Sequence, residues 1–121
     1  MIDLWVTVSQ VNSNFIPISK GVVKNPDTIG GGDAWVIVYG KLCILSFYLQ
    51  IKQDIPAWGG CNILTIPEKP CVYMKGTCMH QSSGLCGVIE ITYNNNTVSL
   101  NVLGKGLSAG EWIWGQCAFF I

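Results

Sequence analysis

The sequence predicts an all-β domain, an antiparallel β-sandwich of jelly-roll type, and three observations predict it. Apolar and polar residues alternate with a period of two through most of the chain, the period of a strand with one buried face. Short apolar runs recur at spacings of roughly 8–12 residues, with Gly, Pro and Asn between them. No segment carries the 3.6-residue period and end signals of a helix.

Taken in order, short strands fit residues 4–8 and 21–24. Gly30-Gly31-Gly32-Asp33 reads as a turn. It lacks the Lys-Ser/Thr of a phosphate loop, and no helix follows to supply an anion-binding N-terminus. Residues 34–39 and 42–52 read as a hairpin around Gly40-Lys41, with Gly at the first central position of a type II′ turn. In its second strand Cys43, Leu45, Phe47, Leu49 and Ile51 share one face. The other face, from Leu42 and Ile44 to Ser46, Tyr48 and Gln50, is mixed. Pro56-Ala57-Trp58-Gly59-Gly60 breaks the chain, Ile63-Leu64-Thr65-Ile66 stops at Pro67, and residues 71–74 form a further short strand. Residues 75–84 read as a polar loop. Residues 88–93 and 97–102 form a hairpin through Asn94-Asn95-Asn96, with Ile89, Ile91 and Tyr93 aligned against Val98, Leu100 and Val102. The segment 103–112 holds three glycines and reads as a loop.

The last strand, 111–121, is apolar on both faces. Ile113, Cys117, Phe119 and Ile121 lie on one, and Trp112, Trp114, Ala118 and Phe120 on the other. A strand of this kind is buried on both sides, whereas a sandwich strand turns one side to solvent. Trp112, Trp114 and Phe120 are therefore expected at an interface with a second chain; the alternative is a long loop laid over them.

The 121 residues make one domain, with N-terminal strands and a loop in 1–30 and the main core in 34–121. Half of the residues are hydrophobic and only 12% are charged, seven basic against seven acidic. A chain without net charge has no basic face for phosphates, which argues against nucleic acid. It also does little to oppose self-association, so an oligomer is expected. No stretch approaches the ~20 apolar residues of a membrane span, so no membrane insertion is expected. The first residues lack the basic region and cleavage site of a signal peptide, which points to synthesis in a cytoplasm.

Six cysteines, Cys43, Cys61, Cys71, Cys78, Cys86 and Cys117, permit fifteen disulfide pairings. With cytoplasmic synthesis they are expected mainly as thiols, with Cys43 and Cys117 acting as small hydrophobes inside strands. No C-x-x-C pair accompanies His80, the only histidine, so no metal and no cofactor are expected. His80 sits in a polar segment and reads as an exposed loop residue; neighbouring Cys78 in sequence does not make it a base for a nucleophile. The seven carboxylates are scattered, without a visible catalytic pair. A binding or assembly module rather than an enzyme follows. Trp58, an aromatic between turn residues, is the candidate ligand-binding residue, because such rings stack on sugars and peptides. The alternative is a ring folded back on the domain's own edge.

The order of pieces resembles a known family. Val36-Ile37-Val38-Tyr39-Gly40-Lys41-Leu42-Cys43-Ile44-Leu45 comes first, then Ile63-Leu64-Thr65-Ile66-Pro67-Glu68-Lys69-Pro70. Gly87-Val88-Ile89-Glu90-Ile91 leads to Asn94-Asn95-Asn96-Thr97-Val98, and an aromatic strand closes the chain. This resembles the C-terminal head domains of phage tail-fibre and receptor-binding proteins from phages and prophages of Gram-positive gut bacteria. The likeness spans residues 35–121. Lys41 stands where such heads usually carry Asn, and the gap between Pro67 and Pro70 is shorter. No collagen-like or coiled-coil shaft precedes the head, so a fragment or a small stand-alone relative is expected. The resemblance implies a homotrimeric β-sandwich head at the virion tail tip that binds a bacterial surface saccharide or protein; it transfers no binding residues. A structural tail or baseplate domain without a small ligand, and a secreted lectin-like bacterial module, are the alternatives.

Overall fold

The computed structural model describes residues 16–92 and 95–121. The strand expected over residues 4–8, and Tyr93 and Asn94 of the hairpin, lie outside the described residues. Among the described residues there are nine strands: β1 (Ile18–Lys20), β2 (Val23–Lys24), β3 (Ile29–Tyr39), β4 (Leu42–Ile51), β5 (Gly60–Thr65), β6 (Met74–His80), β7 (Gly84–Ile91), β8 (Thr97–Val102) and β9 (Trp112–Phe120). The all-β class is as expected.

Hydrogen bonding links all nine into one curled antiparallel sheet in the order β1-β3-β4-β9-β6-β7-β8-β5-β2. Two separate facing sheets are not drawn by that pairing. Periodicity tells which side of a strand is wet; it does not tell which strands are neighbours. The two edge strands are consecutive in the chain, with only Gly21 and Val22 between them. One segment thus pairs first with β3 (Ile18↔Val38) and then with β5 (Val23↔Thr65), drawing the two edges together. Curling lets every long strand turn one face onto a common core.

That core follows the alternation. Cys43, Leu45, Phe47, Leu49 and Ile51 of β4 are buried, as are Ile113, Cys117 and Phe119 of β9. Ile89 and Ile91 of β7 meet Leu100 and Val98 of β8 in register, all buried. Gly40 carries φ +63° at the first turn position of the β3–β4 hairpin, as a type II′ turn requires. In register with Phe47 stands Gly115, whose missing side chain makes room for the ring; a Cβ there would lie 2.6 Å from Phe47 Cζ.

β1 was not expected, β5 starts three residues earlier than its apolar run, and two longer segments also differ from expectation. Residues 30–33 do not form a turn but belong to β3. Gly30 is the extra residue of a bulge between the pairs Ile29↔Ile51 and Gly31↔Gln50. Gly32 then takes φ +92°, and a Cβ on it would lie 2.1 Å from the Tyr48 carbonyl oxygen. Here glycine permits close backbone approach rather than ending the strand.

The second difference concerns residues 75–84, expected as a loop, with a strand at 71–74. The strand begins at Met74 and runs through the polar stretch to His80, between β9 and β7. After Met74, which packs against the core, its inward residues are Gly76, Cys78 and His80, so the polar stretch carries no large apolar signal. The small residues are required, because a Cβ on Gly76 would lie 3.0 Å from both Ile89 and the Gln116 carbonyl oxygen.

Gly32→Ala combines a left-handed backbone with a backbone clash and is expected to destabilise by more than about 1 kcal/mol in urea unfolding. Gly21→Ala, with open space around it, should leave the midpoint nearly unchanged. Equal effects would contradict the close approach at Tyr48.

Candidate binding site

Pro56-Ala57-Trp58-Gly59 forms a tight turn in which the Gly59 N–H donates to the Pro56 carbonyl (2.9 Å). Trp58 holds its third position with φ +63°, the one non-glycine residue at positive φ among the described residues. A bulky side chain in this region is strained by of order 1–3 kcal/mol and persists only when its surroundings enforce it. The enforcement is visible. Val102 N–H donates to Gly59 O (2.8 Å), and Ile55 and Leu107 exchange two backbone hydrogen bonds of 2.8 Å each. Gly106 allows that approach, since a Cβ on it would lie 2.7 Å from Ile55 O. The Trp58 ring lies beside Gly104 yet remains 75% exposed. The ring thus rests against Gly104 at the edge of the domain and is not part of the core.

Beside this loop a cavity of about 80 Å³ is lined by His80, Ser83, Leu85, Cys86, Lys105 and Glu111 among others. His80 is not the exposed loop residue that its sequence neighbours suggest. It ends β6 with a side chain only 9% exposed, paired with Glu111 across 31 residues of sequence. The Ser82 and Ser83 N–H groups both donate to its Nδ1 at 3.2 Å, which places the proton on Nε2, facing the carboxylate. Glu111 Oε1 in turn accepts from Ser108 N–H (2.8 Å). With both ring nitrogens engaged, His80 ties the β6–β7 turn to the loop before β9. Sequence could not reveal Glu111 as its partner, because only the tertiary fold brings them together.

The second surface is the outer side of β3, β4, β9 and β6. Tyr48 and Trp114 pair in register on β4 and β9. Tyr48 stacks on Trp112 (centroids 4.6 Å, interplanar 13°) and tilts against Trp114 (5.8 Å, 39°). Trp114 is 39% exposed and Phe120 61%, while Trp112 is half-buried. The three residues expected at an interface therefore share one face. Trp35, Ile37 and Ile44 extend it and are also exposed. Trp35 and Ile37 belong to β3 and Ile44 to the mixed outer face of β4, a pattern too ambiguous in sequence to define a patch. A shallow groove of about 400 Å³ crosses the face between Ser46, Gln116, Thr77, Met79 and Trp114.

All six cysteines are free thiols. Burial pushes the Cys43 thiol up to about 11 and raises Cys61 and Cys117 as well. Among the described residues no group of three or more His, Cys, Asp or Glu side chains is placed to hold a metal ion.

Trp58→Gly removes an exposed ring and relaxes a left-handed residue, so the urea midpoint should hold or rise. A loss above about 1 kcal/mol would mean that the ring's contact with Gly104 supports the fold.

The chain matches no model of a known protein family and no curated protein.

Proposed function

We propose that this domain is a phage tail host-recognition head. It binds a bacterial cell-surface saccharide or protein through the turn that carries Trp58. It assembles as a homotrimer through the aromatic face that carries Trp112, Trp114 and Phe120. The curled sheet, folded over its single core, takes the part of the β-sandwich of such heads, at the tail tip. The phage assignment rests on the order of sequence pieces shared with those heads.

One structural observation carries the binding half. A tryptophan is held in a strained backbone by two flanking loops and yet contributes its ring to solvent. Strain without compensating burial serves recognition better than stability, and a fixed flat ring is a surface on which sugar rings and peptide groups stack.

The aromatic sheet face favours a second reading, a structural tail or baseplate domain whose exposed rings all become contacts to other tail chains. Contiguous apolar surface of this kind marks a protein–protein contact. In that reading Trp58 is covered too, and no small ligand is bound.

Glycan-array binding should fall by about ten- to a hundredfold in Trp58→Ala, the range of a lost aromatic hot spot. The melting temperature should barely move. Light scattering after gel filtration should give about three chain masses for the wild type. Trp114→Ala should lower stability or break the assembly through loss of a large ring. A micromolar monomer would remove the assembly half. A trimer that binds nothing on the array, with Trp58→Ala as damaging as Trp114→Ala, would select the structural reading.

A further inference from the structure

One thiol in β7 points where simple alternation would not put it. Ile91, Ile89 and Gly87 are buried along this strand, so Cys86 should turn outward with Glu90 and Val88. Between the pairs Cys78↔Gly87 and Met79↔Leu85, however, β7 carries one residue more than β6. That residue is Cys86. A bulge sets two residues opposite one and re-aims the extra side chain, so Cys86 and Gly87 together face Cys78. Position 87 has no room for a side chain, since a Cβ there would lie 2.8 Å from Leu100 Cδ1 and from the Asn101 carbonyl oxygen. The space opposite Cys78 falls to the Cys86 sulfur.

The two sulfurs lie 3.7 Å apart. The Cys86 thiol also donates to the Cys78 carbonyl oxygen at 3.3 Å, which fixes its direction. Cys78 is fully buried, whereas Cys86 borders the cavity shared with His80, Lys105 and Glu111. Cys86 is among the residues that line this cavity and Cys78 is not, so a reagent that enters there meets Cys86 first.

We propose that Cys78 and Cys86 are a redox-modification site that closes a disulfide across the β6–β7 hairpin on meeting a low-molecular-weight disulfide. The Cys86 thiolate attacks one sulfur of the small disulfide, forming a mixed disulfide and expelling one small thiolate. Cys78 gives up its proton and attacks the Cys86 sulfur, forming the internal bond and expelling the second small thiolate. Two protein thiols are oxidised, one small disulfide is reduced to two thiols, and the two protons leave with them. The order follows from access and from acidity. The thiol–thiol hydrogen bond holds Cys86 below the ordinary thiol range and pushes Cys78 above it, and burial of Cys78 adds to the second shift. The closed bond restrains the unfolded chain and braces the hairpin whose first strand ends at His80, the partner of Glu111. This inference does not depend on the proposed receptor.

The test uses the reduced wild-type chain, incubated without denaturant in oxidised glutathione, then alkylated, digested and analysed by mass spectrometry. An internal Cys78–Cys86 link is expected, with a glutathione adduct on the exposed Cys71 as a marker that oxidant was present. The oxidised chain should melt at a higher temperature than the reduced one. Cys78→Ser should trap glutathione on Cys86, and Cys86→Ser should leave Cys78 a free thiol. Alkylation of both as free thiols while Cys71 is modified would overturn the proposal. So would a link from either to another cysteine, or a link that forms only in denaturant. The wild-type measurement stands whether or not either variant folds.

Discussion

Insertion of β9 between β4 and β6 is the contact on which the rest of the sheet depends. On one side stand β1, β3 and β4; on the other stand β6, β7, β8, β5 and β2. β9 pairs with β4 over its whole length, from Leu42↔Phe120 to Gln50↔Trp112, and with β6 from Thr77↔Gln116 to His80↔Ile113. Its inward residues complete the core at the same seam. Phe119 and Ile113 are among the largest fully buried side chains, and Phe47 of β4 fills the space that Gly115 leaves. Burying each such side chain contributes about 1.5–3 kcal/mol. The sheet's continuity is thus secured by the final segment of the chain, through contacts distant in sequence, a topology that folds slowly for its size.

The central position of β9 leaves its side chains as its only free surfaces. A strand in the middle of a sheet has both backbone edges occupied, so only its two side-chain faces remain to act. The inner one is consumed by the core. The outer one carries Trp112, Trp114 and Phe120, supported by Tyr48 from β4. The few charges on the chain do little to isolate this face from other molecules. Some do stabilise edges, as where Lys20 of β1 pairs with Glu68 after β5 and helps to hold the curled sheet's margins together. That pair is partly exposed and adds little alone.

Small inward residues have a second consequence. Along β6, Gly76 and Cys78 replace the large side chains of other strands, because β9 and β7 crowd the interior from either side. Close packing there brings two sulfurs together, whereas Cys43 and Cys117 occupy their strands as plain apolar filler. Cysteine in this chain therefore has more than one use, set by what the neighbouring strand offers. The same bulge mechanism acts in β5. Ile63 is the extra residue between Asn62↔Ser99 and Leu64↔Val98, and both Ile63 and Leu64 are buried.

The sequence by itself determined the all-β class, the hairpins around Gly40-Lys41 and between β7 and β8, the two-faced character of β9, and the turn that carries Trp58. Each of these follows from local pattern: a period of two, a turn residue, or a ring stranded among turn residues. Where alternation was carried by small residues, as in β6, or bent by a bulge, as at Gly30 and Cys86, the local pattern misled or fell silent. The neighbour relations were decided only by the tertiary structure. These include the single curled sheet, the pairing of His80 with Glu111, the stacking of Tyr48 on Trp112 and the meeting of Cys78 with Cys86. The reason is physical. Side-chain period depends on the residue's own strand, whereas which strands lie side by side depends on burying all inward faces in one core at once.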